Sequence, residues 1–280
     1  MIVKERQVIN YLSPSKIGSF AINPYIGCPN ACKYCYASFM KRFTNHPEPW
    51  GTFIDIKRCD KKIDIRKITG KNVFMSTVTD CYNPYEEKYR ITRGILEQLV
   101  NADCFLQIST KNNLVLRDLD LFSQMKNISV VMSINTPDDN FRQDMDCASS
   151  ILERLETLKT LNENSINTIL FMSPIFLHIT NWQAIIEVTK GYVNEFWFED
   201  LNLRGGYKRI ILDYVKEKYP DIFPSYIRLY KQGDRTEITK LEKDICYYCN
   251  INKINYTDYF HHAKILNDRK NKMLYKKHRS

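Results

Sequence analysis

Asn23-Pro24-Tyr25-Ile26-Gly27-Cys28-Pro29-Asn30-Ala31-Cys32-Lys33-Tyr34-Cys35-Tyr36-Ala37 is the stretch around which the chain is organised. Three cysteines stand at C-x3-C-x2-C spacing, with an aromatic, Tyr34, before the last. Thiolates this close converge on one small inorganic cluster only if the backbone curls tightly, and Gly27 and Pro29 supply the bend. No fourth cysteine sits nearby, whereas structural zinc and ordinary cubane clusters take four protein ligands. Three ligands leave one metal corner open for something else. Three unrelated core thiols are the bland alternative, since free cysteine is a common interior residue. Spacing, bend residues and aromatic together favour the cluster.

Outward from this loop, 280 residues suffice for one large domain, or one domain with a small appendage. A hydrophobic content of 44% and an aromatic content of 12% exclude disordered and collagen-like classes. No apolar run approaches the ~20 residues that span a bilayer. Met1-Ile2-Val3-Lys4-Glu5-Arg6-Gln7 has no apolar signal core, so no export is expected. Nine cysteines, an odd number, fit a reducing cytoplasm better than a disulfide framework. The net charge of +9 makes polyanions, nucleic acid above all, candidate partners. Much of the surplus lies in a tail carrying Lys264, Arg269, Lys270, Lys272, Lys276, Lys277 and Arg279, which a solvated terminus explains equally well.

Hydrophobic periodicity predicts an irregular lead-in over 1–17 and a strand over Gly18–Ile26, then the cysteine loop and a helix over Ala37–Phe43. Strands follow at Asn72–Ser76, Cys104–Ser109, Ile128–Ile134, Thr168–Met172 and Glu195–Phe198, the fifth ended by Pro174. Helices fall at Glu86–Val100, Arg117–Met125, Ser149–Leu161, Trp182–Thr189 and Tyr207–Lys218. Ser149 or Ser150 is an N-cap, with Glu153 placed for a capping box. About six strand–helix alternations imply an α/β fold with a parallel sheet, too short for an eight-fold barrel and natural as a partial (β/α)6 barrel. The expected organisation is a barrel over 1–220 and a C-terminal extension over 221–280, where the alternation stops. In that extension Tyr247, Tyr248, Tyr256 and Tyr259 are expected chiefly as core. Cys246, Cys249, His261 and His262 are a weaker candidate for a second metal site, because adjacent histidines do not match zinc spacing.

Ligands of such sheets gather at the carboxyl ends of the strands. Asp80 follows the second strand there, Lys111 the third, Ser133 and Asn135 the fourth, Pro174 the fifth, and Asn202 and Arg204 the sixth. A carboxylate can accept from an ammonium, a lysine can meet a carboxylate or phosphate, and hydroxyl and amide groups suit a ribose. Each also has a local reading: Thr79-Asp80 as a turn or cap, Lys111 as a surface charge. Placed on consecutive strand ends, they favour a site.

The cysteine spacing resembles that of the radical SAM enzymes. The order of Asn23-Pro24-Tyr25-x-Gly27-Cys28, Thr79-Asp80-x-Tyr82-x-Pro84, Ile91-Thr92-Arg93, Ser109-Thr110-Lys111 and Arg117-Asp118-Leu119-Asp120-Leu121-Phe122 resembles the spore photoproduct lyase-like branch, often labelled "DNA repair photolyase". The resemblance runs from about Asn23 to Arg204. It implies a [4Fe–4S] cluster on Cys28, Cys32 and Cys35, with the fourth iron chelated by S-adenosyl-L-methionine. It also implies contacts to that nucleotide from Asp80, Lys111 and Ser133, with Asn135 and Arg204 at neighbouring strand ends. The implied chemistry is reductive cleavage to a 5′-deoxyadenosyl radical that abstracts hydrogen from a substrate, of lyase or transferase type. An electron donor such as flavodoxin or ferredoxin would feed it. One departure stands out. True spore photoproduct lyases place a hydrogen-donor cysteine just before the acid, where this chain has Ser76-Thr77-Val78-Thr79; Cys81 follows Asp80 instead and is the candidate for that catalytic role. A radical SAM modifier of peptides or proteins, and a zinc-dependent nucleic-acid-binding module on Cys246-x2-Cys249, are the competing readings.

Overall fold

The computed structural model describes residues 1–15 and 17–260; the basic tail, His261 and His262 lie outside them. Eleven strands are present among the described residues: β1 (Ile2–Gln7), β2 (Leu12–Pro14), β3 (Phe20–Ile22), β4 (Tyr25–Gly27), β5 (Phe53–Arg58), β6 (Asn72–Met75), β7 (Phe105–Thr110), β8 (Ile128–Ser133), β9 (Asn167–Ile175), β10 (Glu195–Asp200) and β11 (Tyr256–Asp258). The large sheet runs β11-β10-β9-β8-β7-β6-β3-β2, and all its neighbours are parallel except β2 against β3. The six strands β3 and β6–β10 with their helical connections make the α/β partial barrel. Val73, Met75, Leu106, Ile108, Val130, Met132, Leu170, Met172, Phe196 and Phe198 from consecutive strands fill its core. No helix among the described residues is long and apolar enough to cross a membrane.

The helices that cover the sheet follow the sequence where caps are strong. Ile151–Glu163 begins at Ser150, whose hydroxyl and Glu153 form the reciprocal capping box. Asn181 caps Trp182–Thr189. The expected helix over Glu86–Val100 breaks at Arg90, which takes φ +49° between Tyr85–Tyr89 and Ile91–Leu99. The break lets the wholly buried Glu86 side chain accept from the amides of Thr92 (2.9 Å) and Arg93 (3.2 Å). Arg117–Met125 is likewise only a short α-helix, Leu119–Phe122, preceded by a 3-10 helix over Asn113–Asp118.

Three differences from the expected strands shape the site. The strand expected over Gly18–Ile26 divides at Asn23-Pro24 into β3 and β4, which join different sheets. Proline donates no hydrogen bond and cannot continue a central ladder. β4 instead pairs antiparallel with β5 in a small sheet ordered β1-β5-β4, formed partly by the supposedly irregular lead-in. β1 escapes pattern recognition because it has no wholly buried residue. β9 runs through the cis Ser173–Pro174 bond to Ile175, and the register shift opposite it accommodates the missing donor.

The alternation, expected to stop near residue 220, takes one further step. The helix Thr236–Ile251 leads into β11, which pairs parallel to β10. Ile238, Ile245 and Cys249 of that helix join the common core. Tyr248 and Tyr256 pack half-buried against it, whereas Tyr247 is 68% exposed and is not core.

Gly27 fixes the exit from β4 into the cysteine loop. Its φ is +85°, and a Cβ there would stand 2.4 Å from the Phe53 carbonyl oxygen. Gly27→Ala is therefore expected to cost roughly 3 kcal/mol, from left-handed strain plus overpacking. A downward shift of the urea midpoint at unchanged slope measures it.

Candidate metal centre and active site

The cysteine loop lies against the carboxyl ends of the barrel strands. Thr79 Oγ1 donates to the Gly27 carbonyl at 2.6 Å, and the Asn23 side chain holds Thr77 and Val78. On its other side the loop is pinned by the segment after the helix Asp139–Met145: Lys33 N donates to the Met145 carbonyl (2.9 Å) and Cys147 N to the Asn30 carbonyl (2.8 Å).

Asp80 is the hub of this assembly. Its buried carboxylate accepts five hydrogen bonds: Oδ1 from Tyr82 N (2.9 Å) and Thr110 Oγ1 (2.8 Å), Oδ2 from Asn30 Nδ2, Lys111 N and Asn112 Nδ2 (each 2.9 Å). One carboxylate thus joins the cysteine loop to the ends of β6 and β7. Its acceptor capacity is taken up by the protein itself, so its visible task is to hold the site's parts together. Thr110 stands in the Ser109-Thr110-Lys111 motif, but sequence reasoning assigns no site role to Asn30, Thr110 or Asn112. Asn30, a polar residue between two cysteines, is the one signal that could have pointed to them.

The three thiols are half-buried. Burial pushes each above the ordinary thiol range. The Asp80 charge adds to the rise at Cys28 and the Asp146 charge at Cys32, while Lys111 acts the other way on Cys32 and Cys35. Cys28 feels Cys35, and Cys32 feels both of the others, so the thiols are neighbours. The Trp50 side chain lies beside Cys35 and opposes part of that rise. Thiols that resist ionisation on their own are donors that need a strongly positive partner to become thiolates. Among the described residues no three His, Cys, Asp or Glu side chains converge on a single-ion site. Three thiol donors on one tight loop are the donor chemistry that an iron–sulfur cluster takes.

Around the thiols stand the other strand-end groups. The Lys111 ammonium lies 5.6 Å over the Tyr34 ring, on the side of Cys32 and Cys35. Ser133 closes β8 half-buried, and Asn135, 2% exposed, has a side-chain amide nitrogen without a protein partner. A buried donor left unpaired is a place for a ligand acceptor. Tyr36 donates to the Thr77 carbonyl, and its phenol, like that of Tyr207, feels both Cys35 and Glu199. Glu199, held by Ser173 at the irregularity between β9 and β10, therefore belongs to this mouth, although no local pattern marks it. Arg204 is exposed, donates to Asn202 Oδ1 at 3.0 Å and lies beside Tyr207.

Cys81 is elsewhere. Its side chain is fully buried in the hydrophobic core, and burial pushes the thiol well up. Consecutive residues point apart here: Asp80 turns to the loop and Cys81 to the core. The thiol expected as hydrogen donor has no exposed surface in this structure. The Cys246-x2-Cys249 pair lies on the helix Thr236–Ile251. Cys246 lies beside Tyr256, and Cys249 is wholly buried, with its thiol pushed up to about 12. The histidines expected with it lie outside the described residues.

The other shared motif residues build a scaffold behind the site. Glu86 is bound by Tyr25 Oη and Arg117 (2.7 Å), and Asp118 by Arg93 (2.8 Å), Arg117 (2.9 Å) and Tyr82 Oη (3.0 Å). Both carboxylates are fully buried, so this network fixes where Tyr82, and with it Asp80, can sit.

A partial parallel barrel with a three-thiol loop at its ligand-binding end defines a class of cluster-dependent enzyme. Residues 22–189 match the radical SAM superfamily, and the chain belongs to it. That family uses a [4Fe–4S] cluster and S-adenosyl-L-methionine, and needs a reductant. An uncharacterized protein of Methanocaldococcus jannaschii is 38% identical over 225 residues, covering 79% of this chain and 84% of the relative. An uncharacterized protein of the Acidianus two-tailed virus is 33% identical over 56% of each chain. Among solved structures, spore photoproduct lyase complexed with dinucleoside spore photoproduct has a TM-score of 0.55 at 16% identity, covering 78% of this chain and 66% of that one. Streptococcus suis SuiB bound to S-adenosylmethionine has a TM-score of 0.56 at 14% identity, covering 86% and 50%. At these identities the structural likeness is one of fold.

Proposed function

We propose that the protein is a radical SAM enzyme of the spore photoproduct lyase-like branch that acts on nucleic acid, with Cys28, Cys32 and Cys35 as the cluster ligands. The observation that carries the cofactor reading is the group of three neighbouring thiols, locked to the strand ends through Asp80. When bound, the cluster and the sulfonium nucleotide supply one-electron reduction and hydrogen-atom abstraction. The chain's own part is placement and shielding. Lys111 offers a cation for a carboxylate. Ser133 and the unpaired Asn135 amide offer groups for hydroxyls. Tyr36, Tyr207 and Glu199 wall the mouth, and Arg204 stands at its rim. Flavodoxin or ferredoxin is the proposed reductant, and nine unpaired thiols suit the reducing cytoplasm.

The nucleic-acid reading rests on where the basic groups lie. Arg235, Thr236, Thr239, Lys240 and Lys243 line an open groove of about 590 Å³ along one side of the helix Thr236–Ile251. Arg235 bonds Asp200 at 2.9 Å, which ties the groove to the carboxyl end of β10, beside the mouth. Tyr247 continues the same helical stripe, exposed where a base can stack. The solved lyase holding a dinucleoside supports the ligand class. Thymine-lesion repair is not carried over, because Ser76-Thr77-Val78-Thr79 ahead of Asp80 lacks the donor cysteine of true spore photoproduct lyases. A target base must be unpaired or flipped to reach the thiols.

Anaerobic protein is expected to be brown and to cleave S-adenosylmethionine on reduction. Single-stranded oligonucleotide binding should weaken steeply with salt. Lys240→Glu with Lys243→Glu should weaken it about tenfold or more near 0.1 M salt and flatten the salt dependence. Salt-independent or absent binding would turn the reading towards a peptide substrate.

A further inference from the structure

A buried ion pair stands directly behind the cysteine loop. Arg154, completely buried, donates through Nη2 to Asp146 Oδ1 at 2.6 Å, through Nη1 to the Ser133 carbonyl at 3.2 Å and through Nε to the Ser149 carbonyl at 2.8 Å. Asp146 is equally shut off from solvent, and its second oxygen accepts from Tyr34 Oη at 3.1 Å. Tyr34 sits between Cys32 and Cys35, edge-on to Phe176 with ring centroids 5.7 Å apart. One chain of contacts therefore runs from the end of β8 through Arg154 and Asp146 to the residue between two of the thiols.

The pair has no need of solvent-exposed chemistry, and a hydrophobic pair of similar volume would often be no less stable. Its place suggests what it does. Asp146 is the carboxylate whose charge Cys32 feels most, and Arg154 is the cation that balances it. Other charges on this side include Lys111 over the Tyr34 ring, Lys33 over the Tyr214 ring at 5.7 Å, and Arg142, itself paired with Asp139 at 2.8 Å; Asp80 serves Cys28 on the opposite side. A fixed negative charge in a low-dielectric setting opposes addition of an electron nearby, and a fixed positive charge favours it. Net charge and hydrogen bonding are among the levers that set cluster potentials.

We infer that Asp146 and Arg154 are positioning residues that hold Tyr34 and, as a balanced pair of opposite charges, set the reduction potential of the centre on Cys28, Cys32 and Cys35. The inference rests on the cluster assignment proposed above, and the test separates the two.

Reconstituted full-length protein is titrated electrochemically under anaerobic conditions, with iron content and the electron paramagnetic resonance signal of the reduced cluster as readouts. Asp146→Asn removes the anion and leaves the cation, so the midpoint potential is expected to rise. Arg154→Met removes the cation and leaves the anion, so it is expected to fall. The double variant should return towards the wild-type value. Tyr34→Phe, which alters the contact but neither charge, should shift the potential less than either single change. A merely structural pair would lower iron loading without opposite shifts in the loaded fraction. Wild-type protein that binds no cluster overturns the ligand assignment. A loaded wild type whose variants all share its midpoint, or shift in the same direction, overturns the role of the pair alone.

Discussion

Cys28→Ala, Cys32→Ala and Cys35→Ala are each expected to abolish stable iron loading and to lower S-adenosylmethionine cleavage by more than about 100-fold. Changes to residues that only support metal ligands already cost about 10- to 100-fold, and these three are the proposed ligands themselves. The contrast that gives the result meaning is Cys81→Ala. That thiol is enclosed by core residues. Its removal is expected to keep the iron and to cost about 1–2 kcal/mol of stability through a small cavity. Iron analysis and 5′-deoxyadenosine release under reduction check both halves. If Cys81→Ala loses iron while a loop variant keeps it, the assignment of the centre is wrong.

Asp80→Ala should be nearly as damaging, by a different route. Five donors lose their acceptor: two backbone amides of neighbouring segments, the Thr110 hydroxyl and the amides of Asn30 and Asn112. A hydrogen bond to a charged group contributes about 1.5–3 kcal/mol, and the five are not additive. Breaking such a buried hub costs roughly 3–5 kcal/mol by comparison with buried pairs. Asp80→Asn should do little better, because its amide nitrogen would face the donors that now converge on one oxygen. A urea midpoint lowered together with a lost iron complement is the expected pattern. An Asp80→Ala protein of normal stability that fails only to bind the nucleotide would show instead that the carboxylate serves the cofactor directly.

The legible part of this molecule was the part written in local chemistry. Three cysteines with a glycine and a proline announce a curled metal loop, and the capping box at Ser150 announces its helix. The strands β6 to β10 are short apolar runs, and their order implied which residues would share an end. What stayed hidden depends on distant partners. β1 and β5 pair across about fifty residues, and β1 has no wholly buried residue to mark it. The motifs at Ile91-Thr92-Arg93 and Arg117-Asp118 carry the family resemblance, but nothing local to them tells that their charges are spent on Glu86 and Asp118 behind the site. Cys81 and Asp80 are adjacent in sequence, yet a turn there sends one to the core and the other to the loop. Glu199 and the Arg154–Asp146 pair become functional candidates only when three dimensions bring them to Tyr36 and Tyr34.

The parallel pairing of β11 along β10 has a consequence for handling the chain. A version trimmed just ahead of Tyr256 would move the rim of the large sheet from the three-residue β11 to the longer β10, with the amides and carbonyls of Phe196 and Phe198 seeking partners. Such a rim recruits strands from other molecules. The shortened protein should clump at concentrations where the intact one stays dispersed, and light scattering would reveal it.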